Sequence, residues 1–224
     1  AWGRMFLSVP YDFLEYYEGD NFRITGIQDS TVISMSSFSY NKDIILNEPG
    51  DFEEIKHINE PVIWHANKPI QIGQYMAHSG KKAYDSPLFD PSLVILPPLE
   101  QYVSRILFQT PTDEHGKYAA HAVNIIAHKD AVHSLKLDGK FVRGLSNIEK
   151  QKITSTDYHY AQLILEEGKH ELKSDSGKFS GVLFGVAERD SYSMVLGSSL
   201  NNPFSEDSIP PEIVIVEECG KING

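Results

Sequence analysis

Nine histidines and a single cysteine are the first residues to weigh for chemistry. His121, His128 and His133 fall close together, and His159 and His170 follow later in the chain. Zinc sites draw on tight pairs such as His-Glu-x-x-His or Cys-x-x-Cys, and neither occurs. Spacings of 7 and 5 along a strand, turn and strand put the three histidines on different faces or edges, so they read as structural or surface residues. A nucleophile needs a serine or cysteine beside a base and an oxyanion hole. No Gly-x-Ser-x-Gly elbow is present, Ser79-Gly80 after His78 has no supporting pattern, and Cys219 sits in a tail. The acids Asp85, Asp90, Asp113 and Glu114 lack the Asp-x-Asn-x-Asp-Gly loop of a calcium site. A weak calcium clamp is the one cofactor they leave open; none other is expected, and the pattern points away from an enzyme.

Recognition chemistry is better represented. Trp64, within Val62-Ile63-Trp64, reads as core, whereas Tyr84 lies in the polar loop Ser79-Gly80-Lys81-Lys82-Ala83-Tyr84-Asp85. Loops carry contact residues more readily than strand interiors do. The predicted ligand-binding residues are His78, Lys81, Tyr84, Asp85 and Asp90, with Asp113 to Lys117 nearby if the two halves pack together.

Charge narrows the partners. The net charge is −11 and the pI about 5.2, so a phosphate backbone would repel the chain and no nucleic acid is expected. No apolar run approaches the ~20 residues of a membrane span, so this segment is not expected to insert. The single cysteine excludes an internal disulfide. The chain opens at Ala1 with no signal peptide, which reads as a processed or excised piece of a longer protein.

The elements that must position these residues are short strands. Phe22–Ile27, Thr31–Met35, Pro61–Trp64, Pro69–Tyr75, Leu93–Leu96 and Val123–Ile126 cluster or alternate β-formers. Turn residues separate them at 28–30, 48–51, 66–68, 166–169 and 174–177. This rhythm predicts a sandwich or barrel. Only Asp51 to Ile58 and Asn147 to Ile153 read as short helical turns.

The order of elements also repeats. Pro10 and Pro111 close similar strands, and Asp29 and Asp130 sit in similar turns, both pairs 101 residues apart. Ile45–Gly50 echoes Ile164–Gly168, and Ile70–Tyr75 echoes Phe179–Phe184. The predicted fold is therefore all-β: two pseudo-repeated antiparallel β-sandwich subdomains packed through a Pro-rich connector. The expected boundaries are 1–84, a connector at 85–102, 103–200, and 201–224 as a linker and the start of a following segment.

The ordered motifs from Gly3 to Leu200 carry a resemblance. They include Ile27-Gln28-Asp29-Ser30-Thr31-Val32, Pro61-Val62-Ile63-Trp64-His65-Ala66-Asn67-Lys68-Pro69-Ile70 and Ile72-Gly73-Gln74-Tyr75. The most specific is Asp90-Pro91-Ser92-Leu93-Val94-Ile95-Leu96-Pro97-Pro98-Leu99-Glu100-Gln101-Tyr102. The set resembles the N-terminal domain of the IgG Fc-binding protein family. That resemblance implies extracellular, multidomain proteins of mucus, matrix and cell surfaces with adhesive or scaffold roles, and no defined catalytic residue.

The expected function is a non-catalytic extracellular adhesion or ligand-recognition module of a larger surface or matrix protein, taking a protein or glycan ligand. A structural spacer or filament unit remains an alternative, in which the strand after Pro211 would support self-association. A bicupin-like metal enzyme is a further alternative, against which stands the lack of a His-x-His with a nearby Glu.

Overall fold

A computed structural model of the chain describes residues 1–11, 19–76, 90–112, 118–187 and 190–199, with backbone strands at 216–218 and 221–223. The first half forms β1 (Gly3–Ser8), β2 (Asp20–Gly26), β3 (Thr31–Ser36), β4 (Asn41–Leu46), β5 (Phe52–Ile58), β6 (Val62–Met76) and β7 (Ser92–Ile95). The second forms β8 (Arg105–Gln109), β9 (Tyr118–His128), α1 (Lys129–Val132), β10 (Lys136–Leu137), β11 (Lys140–Phe141), α2 (Val142–Leu145), β12 (Tyr158–Leu165), β13 (Lys169–Lys173), β14 (Phe179–Ala187) and β15 (Asp190–Val195). Near the end, β16 (Val216–Glu218) pairs with β17 (Lys221–Asn223). The protein is all-β, and its ladders are antiparallel.

Period-two alternation sets the faces of the first half. In β3, Thr31, Ile33 and Met35 are buried while Val32, Ser34 and Ser36 face outward. The sheet runs β4-β3-β6-β2-β5, and β1 and β7 also pair with β6. Strand β6 is the hinge of this arrangement. Its first part, around Val62 to Ala66, pairs with β1 and β3, and its second, from Ile70, with β2 and β7.

Phe22 is in register with Gln74, ten residues along β6 from Trp64 (74 − 64). A straight strand would separate those positions by ~33 Å. The Phe22 and Trp64 rings instead lie 5.2 Å apart. The strand therefore folds over near Asn67-Lys68-Pro69, and its two parts lie in two layers around one core. Pro69 falls at this crossover, where a missing N–H costs the ladders least. The turn expected at 66–68 is thus a bend inside one long strand rather than a break between two.

The second half divides the same pairings between two sheets, β11-β10-β13-β8 and β12-β9-β14-β15. The corresponding ladders of the first half are β4-β3-β6-β1 and β5-β2-β6-β7, with β6 standing where β13 and β14 stand in the second. In this order the turn after β12 matches the one after β5. The echo of Ile45–Gly50 in Ile164–Gly168 therefore joins strands that occupy different places in the pairing. One other local reading differs: Phe52–Ile58 is a strand. A helical turn does form after Asn147, whose carbonyl accepts from the N–H groups of Lys150 and Gln151, and short helices lie at Lys129–Val132 and Val142–Leu145.

The sheet containing β9 and β14 is covered on both faces. Val123, Ile125, Leu183 and Phe179 belong to the core of the second half, whereas Ala122, Val182, Phe184 and Val186 join the core of the first. Tyr11 and Phe184 meet edge to face with ring centroids 4.7 Å apart. Buried amides close the seam. The Val9 carbonyl accepts from Gln74 Nε2 at 2.9 Å and Asn124 Nδ2 at 3.3 Å, and the Pro10 carbonyl accepts from Asn124 Nδ2 at 3.1 Å. These donors satisfy backbone carbonyls that the ladders leave unpaired.

Candidate functional site

The outer face of β2, β5 and β6 carries the charged side chains that alternation keeps out of the core. Arg23 and Glu54 are direct cross-strand partners. The Arg23 guanidinium donates to Glu54 Oε1 from Nη2 at 2.6 Å and from Nε at 3.1 Å. It also lies 4.8 Å from the centre of the Phe52 ring. The hydrogen bond from Arg23 lowers the Glu54 pKa, and the same bond raises that of Arg23. Both groups are exposed, so the pair orients the guanidinium more than it stabilises the fold.

Beside this pair is a cleft of about 370 Å³, whose walls include Asn21, Arg23, Glu54, Lys56 and Tyr75. Met76, which ends β6, and Pro91, which precedes β7, also line it. The cleft thus sits at the root of the connection between those two strands. Arg and Tyr beside opposite charges match the residues that carry binding energy in protein interfaces. Oriented charges of both signs can read a polar surface.

Of the residues predicted to contact ligand, Asp90 is exposed, and its backbone carbonyl accepts from Ser191 Oγ at 2.5 Å. This bond ties the foot of the connection to β15 in the second half. His78, Lys81, Tyr84 and Asp85 lie outside the described residues, as do Asp113 to Lys117. Arg23, Glu54 and Lys56 were not singled out from the sequence. Alternation could place each on an outer face, but their meeting depends on strands joined across 31 residues.

The histidines have separate surroundings. His121 Nδ1 lies 2.6 Å from the Tyr192 hydroxyl. His128 caps α1 by accepting from the Asp130 N–H, and His159 Nδ1 lies 3.0 Å from the Ile148 carbonyl oxygen. His133 pairs with Glu149 at 3.2 Å. His170 contacts Asp138 Oδ2 at 2.7 Å through Nδ1 and the Glu166 carbonyl at 2.9 Å through Nε2. Among the described residues, no group of three or more His, Cys, Asp or Glu side chains is placed to hold a metal ion. No helix there is long and apolar enough to cross a membrane.

A family model described as IgGFc binding protein matches residues 1–185. No curated protein and no solved structure matches the chain. The match spans most of the 224 residues, from the folded-over first sheet through β12 and into β14 of the sheet packed on it, so the chain belongs to the IgGFc binding protein family.

Proposed function

We propose that this chain is an extracellular protein-recognition module with an adhesive role in a larger surface or matrix protein, and that it performs no catalysis. Family membership over residues 1–185 carries the reading. The mixed-charge cleft supports it by offering an Arg, a Lys and a Tyr at the root of one connection. In this proposal the ligand face is the cleft together with His78, Lys81, Tyr84 and Asp85, with Asp90 at its foot. Recognition proceeds without a bound cofactor, so calcium and a chelator should leave the melting temperature unchanged.

Surface plasmon resonance against immobilised immunoglobulin Fc, fibronectin and mucin tests the reading. The expected result is saturable binding to at least one of these, weakened by Arg23→Glu with Lys56→Glu and by Tyr84→Ala with Asp85→Ala, at unchanged melting temperature. Binding that ignores both double variants would sink this face as the site. Binding to none of the three proteins would favour the structural spacer.

A further inference from the structure

We propose that a second cleft, between the β3–β4 hairpin and the turn at 153–155, binds a neutral sugar unit stacked against Phe38. The cleft holds about 290 Å³ and is lined from the first half by Ser34, Ser36, Ser37, Asn41 and His65 beside the apolar Pro61 and Ile63. Thr154 and Ser155 close it from the second half. That volume lies at the small end of small-molecule sites and suits one or two rings.

The lining selects for chemistry. Alternation turns Ser34 and Ser36 outward from β3, and His65 outward from β6, because Ile33, Met35 and Trp64 fill the core. The chain carries a net charge of −11, yet none of the side chains lining this cleft is Asp, Glu, Lys or Arg. An uncharged wall gives a charged ligand no counter-ion. The hydroxyls of Ser34, Ser36, Thr154 and Ser155 can each donate and accept, and the Asn41 amide adds one acceptor and two donor hydrogens. Such groups pair with the hydroxyls of a neutral sugar, which also donate and accept.

Two exposed aromatic residues sit in the turn between the lining residues Ser37 and Asn41. Phe38 is 82% exposed and Tyr40 51% exposed. The turn that carries them is pinned at several points. The Ser37 N–H donates to the Tyr40 carbonyl at 2.8 Å, and the Tyr40 N–H donates to Ser37 Oγ at 2.9 Å. Glu60 accepts from Ser37 Oγ at 2.8 Å and from the Ser39 N–H at 3.1 Å. This carboxylate is thereby committed to holding the turn. A pinned backbone spares a ligand the cost of ordering the turn when a sugar's C–H face packs on the Phe38 ring.

Across the cleft, Ser155 has φ 62°, in the left-handed region that non-glycine residues seldom occupy. The Thr156 hydroxyl holds this turn by donating to the Ile153 carbonyl at 2.8 Å and accepting from the Tyr158 N–H at 3.1 Å. Strain of this kind persists where the surroundings impose it, and it collects at ligand sites.

The cleft uses the outer face of the layer opposite Arg23 and Glu54, so the inference stands apart from the protein-recognition face. Saturation-transfer NMR on the whole chain tests it. The probes are methyl glycosides of galactose, N-acetylglucosamine, N-acetylgalactosamine and mannose, with glucuronic acid as the charged control. At least one neutral glycoside should receive saturation and glucuronic acid none. Binding should weaken about tenfold in Phe38→Ala and in Ser34→Ala with Ser36→Ala, while Arg23→Glu leaves it unchanged. These positions lie outside the core, so melting temperatures should match the parent chain.

Asialofetuin, before and after enzymatic removal of its glycans, separates the two sources of such a sugar. Binding abolished by deglycosylation identifies a glycoprotein-borne unit. Signals from free glycosides alone identify a soluble one. Silence from all four neutral glycosides, or signals untouched by both cleft variants, would overturn the proposal.

Discussion

His121 shows how one residue's surroundings set its chemistry. It is only 6% exposed, and the rings of Tyr118 and Tyr192 pack against it. Burial lowers its pKa; Glu167 works to raise it and His170 to lower it further. Its folded pKa is therefore below the unfolded value of about 6.5, so the unfolded chain binds the extra proton. The resulting stabilisation is present above about pH 6.5 and is lost as pH falls towards the folded value. Urea denaturation at about pH 7.5 and about pH 5.5 should show a loss in the parent chain that shrinks in His121→Gln. Equal losses in both proteins would exclude His121 as the source. Asp138 works at lower pH: burial acts to raise its pKa, but hydrogen bonds from His170 and the Glu171 N–H bring it below the usual value. This contribution is present above the unfolded carboxylate range and is lost as pH drops through the folded value.

At the scale of elements, β5 and β6 mark where local reading reaches its limit. Phe52-Glu53-Glu54 has the composition of a helical turn, and the structure makes it a strand because Phe52 to Ile55 close a ladder with Thr25 to Phe22 of β2. Glu54 meets Arg23, and Glu53 meets Lys42 at 2.8 Å. Strand β6 continues through Asn67-Lys68-Pro69 because different neighbours hold its two parts. The link between elements at the seam is the amide of Asn124, which donates to both the Val9 and Pro10 carbonyls. Asn124→Ala removes the nearer donor to the Pro10 carbonyl and the acceptor of Gln162 Nε2 at 2.7 Å, while the Val9 carbonyl keeps Gln74, and should cost about 1–3 kcal/mol in urea unfolding. A loss below a few tenths would assign the seam to packing alone. Gly177 is similarly restricted, with φ 73° and a Cβ that would stand 2.6 Å from the Ala131 backbone nitrogen. Gly177→Ala should therefore lower the melting temperature, and an unchanged melt would show that the turn can shift.

For the whole molecule, the decisive feature is a core that crosses from one half to the other. Ala122, Val182, Phe184 and Val186 come from the second half but pack with Phe6, Phe22 and Trp64. Phe184 is fully buried. Phe184→Ala should cost about 3–5 kcal/mol. Because the halves share this core, they should unfold in a single calorimetric transition in both the parent and the variant. Two resolved transitions would mean that the halves are independent.

The sequence by itself determined the all-β class, the burial of Trp64 and the family. Alternation and turn chemistry act over a few residues, and the motifs from Gly3 to Tyr102 lie in a fixed order. Tertiary structure decided which strands share a ladder, that β6 folds between two layers, and that His121 meets Tyr192 across 71 residues. It also brought Ser34 to Asn41 against Thr154 and Ser155 to form one cleft. These meetings depend on closing ladders between distant segments, and the energy that selects one closure over another resides in packing that no local pattern encodes.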